Sequence, residues 1–206
     1  MSNRIYNPSR RNFLKGVAVG AGGYALGSML THSKEAMGQS FAGNLEKVPM
    51  ETRWSFASVG LVHFSVDYFK KILDTEGREK LVEFTRKQSS AAGARGKGFA
   101  DRIGMTGTDA KSAAAILPAL VILAYGPRQK FEIAEATESR AVVKCLECVF
   151  WNNVQAKKIT DDLCSSNSHY YWEGCAKAIN PKLTSTLVKA RPRGDSLCEW
   201  VFELQA

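Results

Sequence analysis

The spacing of apolar residues changes character at Gly126-Pro127, and this change limits the chain to a mixed helix-and-sheet fold. Upstream, Phe56, Val59, Val62, Phe64, Val66, Phe69 and Ile72 recur at helical intervals between Trp54 and Leu73. Leu81, Val82 and Phe84 mark a second predicted helix, from Glu76 to about Gln88. The stretch Gly93-Ala94-Arg95-Gly96-Lys97-Gly98 then reads as a flexible basic loop; it lacks the Gly-x4-Gly-Lys-Ser/Thr spacing of a phosphate cradle. Ala113 to Tyr125 is almost wholly apolar, but it is short and contains Pro118, which predicts a buried core helix rather than a membrane span. Asp109 or Thr108 can cap its start, and Gly126-Pro127 stops it.

Downstream, Lys130 to Thr137 and Arg140 to Cys145 read as short strands separated by Glu138-Ser139. Residues 148–158 and 161–179 read as helices, the second stopped by Asn180-Pro181. Leu183 to Ala190 and Leu197 to Leu204 form a strand pair around the turn Arg193-Gly194-Asp195-Ser196. In the last strand Cys198, Trp200, Phe202 and Leu204 share one face, opposite Leu197, Glu199, Val201 and Glu203. The expected fold is α+β: N-terminal helices followed by an antiparallel sheet with helices on one face and a C-terminal hairpin.

Residues 1–38 stand apart from that pattern. Ser9-Arg10-Arg11-Asn12-Phe13-Leu14-Lys15 matches the twin-arginine export pattern, and an apolar run from Val17 to Leu30 follows it. The run is too short and glycine-rich for a stable transmembrane helix. Small residues at Ala36-Met37-Gly38 suit cleavage before Gln39, and Ser40-Phe41-Ala42 offers a second place. The expected plan is a signal peptide over 1–38, a linker over 39–52 and a single α+β domain over 53–206. Arg10 and Arg11 would engage the Tat translocase, which carries folded proteins. The expected location is periplasmic, or membrane-associated if the signal is retained. Five basic residues and Glu35 lie in the signal, so the formal net charge of +8 falls to about +4 on the remainder. That balance is no argument for nucleic acid, and no nucleic-acid partner is expected.

All five cysteines, Cys145, Cys148, Cys164, Cys175 and Cys198, lie in the C-terminal half. An odd number cannot all pair within one chain, so at least one thiol is free, intermolecular or bound to something. Cys145-x2-Cys148 suits a redox pair or a metal, and Cys164 with His169 could complete a metal set. Cys164 precedes a Ser- and Asn-rich stretch and reads as the most accessible thiol, followed by Cys145 and Cys148. Cys175 and Cys198 read as core.

Val143-Lys144-Cys145, Asp162-Leu163-Cys164, Asn180-Pro181-Lys182-Leu183 and Gly194-Asp195-Ser196-x-Cys198-Glu199-x-x-Phe202 resemble the C-terminal signature of the L-2-amino-thiazoline-4-carboxylic acid hydrolase family. The same layout is similar to the 4-vinyl reductase domain, a small-ligand-binding α+β module. The resemblance spans roughly residues 55–204 and is specific over 140–204; the twin-arginine signal, Cys148 and Cys175 fall outside its pattern. It implies a hydrolase of a small cyclic C–N compound with Cys145 or Cys164 as thiolate, His169 as its base and Asp195 as a substrate contact. Asp195 reads from spacing as a turn residue before a substrate contact, and Asn180 as a helix end before a ligand contact. His169-Tyr170-Tyr171-Trp172 either lines a pocket or packs. From a different class, the alternative is a non-catalytic, cysteine-rich module that holds a small-molecule ligand or a metal at the cysteine cluster, or serves as accessory subunit of a co-exported redox enzyme.

Overall fold

A computed structural model describes residues 45–205. The predicted signal, including Arg10 and Arg11, lies outside the described residues, as does the first part of the predicted linker. Glu51–Ala206 form one compact unit. It opens with a long helix, α1 (Met50–Arg102), broken at Gly77, whose φ of 83° only glycine adopts readily. The basic loop expected at 93–98 is instead helical. The glycines serve helix packing there: a Cβ on Gly93 would lie 2.1 Å from the Tyr171 carbonyl oxygen, and one on Gly174 would lie 2.2 Å from that of Ser90. Two bare glycines on facing helices thus let the backbones touch, and that contact outweighs the propensity cost of about 1 kcal/mol each.

Next comes α2 (Ala110–Tyr125). Asp109 caps it, accepting the Ser112 N–H at 2.7 Å, and Gly126 ends it at φ 92°. The rest of the chain runs β1 (Lys130–Ala136), β2 (Arg140–Glu147), α3 (Val149–Ala156), α4 (Leu163–Ile179), β3 (Leu183–Lys189) and β4 (Cys198–Leu204). A single 3-10 turn, Arg191–Arg193, joins the last two. The sheet order is β1-β2-β4-β3, with every neighbouring pair antiparallel. The α+β architecture and the C-terminal hairpin are as the sequence predicts.

The two faces of the sheet differ in chemistry. Ala141, Val143, Trp200, Phe202 and Leu183 are buried on the inner face, against Ile116, Leu117 and Leu120 of α2 and Trp172 and Ile179 of α4. Trp172 stacks on Trp200 at 4.6 Å and on Phe202 at 5.7 Å between ring centroids. On the outer face, register sets Glu132, Lys144, Glu199 and Lys189 in one row across all four strands. Lys144 pairs with Glu132 at 3.4 Å and Lys189 with Glu199 at 3.2 Å. A sheet with one dry and one charged face is what alternation along antiparallel strands produces.

A second core cluster gathers Val62, Val66 and Leu81 of α1 with Phe150 and Val154 of α3 and Leu163 at the start of α4. Tyr125, at the end of α2, packs against both clusters. Among the described residues no helix is long and apolar enough to cross a membrane.

Candidate functional site

A cavity of about 360 Å³ lies where the two core clusters meet. Its walls are largely aromatic: Phe69 and Phe84 from α1, Phe131 from β1, Phe150 from α3, Tyr171 and Trp172 from α4. Gln88 and Arg95 of α1 line it and are exposed, which marks its open side. The other end carries four sulfurs, those of Cys145, Cys148, Cys164 and Cys198.

Each cysteine arrives by its own route. Cys145 and Cys198 are opposite one another in the β2–β4 ladder, so both point to the inner face. In a regular strand Cys148, three residues after Cys145, would face the other way. A one-residue register shift at Leu146, between the pairs Lys130–Glu147 and Phe131–Cys145, resets the alternation. Leu146 and Glu147 both turn outward, and Cys148 returns to the cavity. The bulge is therefore what brings the pair together. Cys164 sits in the first turn of α4, which Asp162 caps by accepting the Ser165 N–H at 2.8 Å. That cap turns the Ser- and Asn-rich stretch into helix, so Cys164 is buried rather than the most accessible thiol. Cys175 is buried between α1 and α4, away from the cavity lining. All five cysteines are free thiols.

Gln129 ties the sulfur end together. It is buried, its Nε2 donates to Cys145 Sγ at 3.2 Å, and its Oε1 accepts the Val149 N–H at the start of α3 at 2.9 Å. Cys148 is the N-cap of α3, and its sulfur accepts the Trp151 N–H at 3.3 Å. Arg191 lies beside the cluster: its Nη2 donates to the Leu146 carbonyl, and its buried Nε has no protein partner.

These surroundings divide the thiols. The neighbouring Cys145 thiol, whose Sγ donates to the Glu147 carbonyl at 3.4 Å, pulls the Cys148 pKa below the ordinary thiol value; the Trp151 N–H and the Arg191 charge act the same way. Proximity to Cys148, and burial, push Cys145 up. Burial raises Cys164 and Cys198 and lifts Cys175 to about 12. Cys148, half-buried where Cys145, Cys164 and Cys198 are buried, is the thiol disposed to ionise.

The remaining predicted residues stand apart from this arrangement. His169 is outside the cavity lining, stacked on Trp200 at 6.5 Å, with its Nε2 3.9 Å from Glu173. Asp195 is exposed, and its Oδ2 accepts the Ala190 N–H at 2.7 Å, the turn role. Asn180 ends α4 and bonds the Thr108 carbonyl at 2.9 Å and the Lys182 N–H at 2.9 Å. Of His169 to Trp172, only Tyr171 and Trp172 reach the cavity. Among the described residues no three His, Cys, Asp or Glu side chains are arranged to hold a metal ion, so Cys145, Cys148, Cys164 and His169 do not form a metal set.

Gln129, Arg191, Tyr125 and Asn167 are site residues that the sequence reading passed over. Asn167 accepts from Ser89 at 2.6 Å and lies beside Tyr125, whose hydroxyl pKa burial raises. A lone Gln at a helix-to-strand junction and a lone Arg before Pro192 are the faint signals they leave.

No family model matches the chain, and no curated protein matches it. Among solved structures, the fold is similar to the phenol-responsive sensory domain of the transcription activator PoxR, solved with phenol. The TM-score is 0.54 at 14% sequence identity, over 69% of this chain and 74% of that chain. At that identity the likeness is one of fold.

Proposed function

We propose that this protein is a binding module for a small, largely apolar organic ligand held in the cavity between the sheet and α1, α2 and α4. The observation that carries the reading is the cavity itself. Its volume of about 360 Å³ falls in the range of small-molecule sites, and aromatic walls surround few polar groups. Tyr125, Asn167 and Gln129 supply hydrogen bonds for one polar group on such a ligand. The fold likeness to a phenol-responsive domain supports an aromatic ligand. Arg10 and Arg11 support the further proposal that the protein works in the periplasm after passage through the twin-arginine translocase, alone or with a co-exported redox subunit.

The test is a thermal-shift and calorimetric titration of the purified chain with phenols, heteroaromatics and short hydrocarbons. A true ligand at about 100 times its Kd adds about 2.7 kcal/mol of stability. Replacement of Ala124, on the cavity wall, by Leu should weaken that binding at least about tenfold without lowering Tm. A flat response to the whole series would sink the reading.

One observation favours a second reading, hydrolysis of a small cyclic C–N compound. Cys148, a thiol disposed to ionise, opens onto the cavity. In this reading Cys148 replaces Cys145 or Cys164 as nucleophile, and His169 and Asp195 take no part. Turnover of 2-aminothiazoline-4-carboxylate that vanishes in Cys148→Ser would support it.

A further inference from the structure

The ligand reading leaves the sulfur end of the cavity unused. Three geometric facts concern it. The shift at Leu146 places Cys145 and Cys148 on the same wall, although their spacing in a regular strand would separate them. Cys148 Sγ receives the Trp151 N–H at 3.3 Å, at the start of a helix. The guanidinium of Arg191 lies alongside with a buried Nε–H that no protein atom accepts. An orphaned cationic donor next to thiols is a place where negative charge is expected on sulfur.

We infer that Cys148 and Cys145 form a thiol–disulfide exchange site whose substrates are small apolar or aromatic disulfides admitted by the cavity. The inference rests on the cavity being a ligand site. The Cys148 thiolate attacks one sulfur of R–S–S–R; that S–S bond breaks, a Cys148–S–S–R bond forms, and RS⁻ leaves to take a proton from water. Cys145 then loses its proton to water and its sulfur attacks that of Cys148. The Cys145–Cys148 disulfide forms and the second RS⁻ leaves. The substrate gains two electrons and becomes two thiols, and the two protein thiols are oxidised. Cys198 is the rival resolving thiol, because it sits directly across the ladder from Cys145.

The experiment treats the reduced full chain with one equivalent of 2,2′-dithiodipyridine, an aromatic disulfide whose thiopyridone product absorbs light. The expected result is two thiopyridones per chain. Cys145 and Cys148 lie in one tryptic peptide, residues 145–157, which should then be lighter by two hydrogens. Cys145→Ser should release one thiopyridone and retain the adduct on Cys148, and Cys148→Ser should slow release at least about tenfold. First labelling of Cys164 or Cys198, a Cys145–Cys198 link, or an undiminished rate in Cys148→Ser overturns the inference. Should either variant fail to fold, the peptide map of the unaltered chain decides. Phenol, which cannot exchange, reads the ligand site separately by thermal shift. Stabilisation by phenol without the 145–157 disulfide overturns the exchange alone, whereas the disulfide without stabilisation supports the exchange and counts against the ligand reading.

Discussion

The inner face of the sheet is built two ways along the same strands. At one end Val143 and Phe202 are buried, and Phe202 and Trp200 stack on Trp172, the two tryptophans forming the wall where the packed end meets the cavity. Two residues along, Cys145 and Cys198 occupy the corresponding positions and line a cavity instead. The backbone and the register continue unchanged between them in β2 and β4. The difference is one of side-chain volume and of what the helices place opposite: Trp172 over one end, and α3 with its Cys148 cap at the other. A fold can thus keep a rigid half and an open half within a single ladder.

The largest expected effect belongs to the packed end. Phe202→Ala should cost about 3–5 kcal/mol in denaturant unfolding, because the ring is fully buried in the stack. Cys198→Ala, beside space already empty, should cost about 1 kcal/mol or less. Equal losses would mean that the two ends are not different in kind. Gly93→Ala should follow, at about 1–3 kcal/mol, since the added methyl meets the α4 backbone rather than a side chain that can turn away. A neutral result there would mean that α1 and α4 can separate at little cost.

The third prediction concerns protonation at the open end. Alkylation of Cys148 should outpace that of Cys198 at pH 7 by at least about tenfold, equivalent to about 1.4 kcal/mol. A thiol whose pKa is depressed is thiolate above that value, so Cys148 reactivity should persist below the ordinary thiol range of about 8.5 and be lost as pH falls through the depressed value. Arg191→Gln should move this midpoint upward. The smallest effect should come from the outer face, where Lys144→Ala removes the 3.4 Å pair with Glu132. Exposed ion pairs of this kind contribute about 1 kcal/mol or less, and salt should erase the difference.

The parts of the fold written in local periodicity were readable from sequence. The inward set Cys198, Trp200, Phe202 and the cap at Asp109 depend on residues two or three positions apart. The parts that failed depend on distant partners. Gly93 reads as a helix breaker until Gly174, far along the chain, is known to face the same crossing. Cys164 reads as accessible because serine and asparagine suggest a turn, until Asp162 is seen capping a helix that buries it. The cavity draws its walls from α1 to α4 and from all four strands of the sheet, so no linear motif announces it. The cysteines were visible as a group, but their division into one ionisable and several inert thiols came from Gln129, Trp151 and Arg191, which carry no pattern of their own.

The extra residue at Leu146 has a consequence for how the chain can vary in length. The turn at Thr137–Arg140 lies on the surface, closed by the Thr137 N–H to the Arg140 carbonyl, and can gain or lose a residue without disturbing which way β2 side chains point. Between Cys145 and Cys148 the same change acts on parity. Straightening the bulge with Leu146 kept would send the Cys148 sulfur to the charged face and leave Gln129 anchoring a helix whose cap has gone, whereas losing Leu146 together with the bulge leaves the two cysteines two residues apart and still on one face. Substitution at 146 is cheap because the side chain is exposed, but the residue and the bulge can be gained or lost only together.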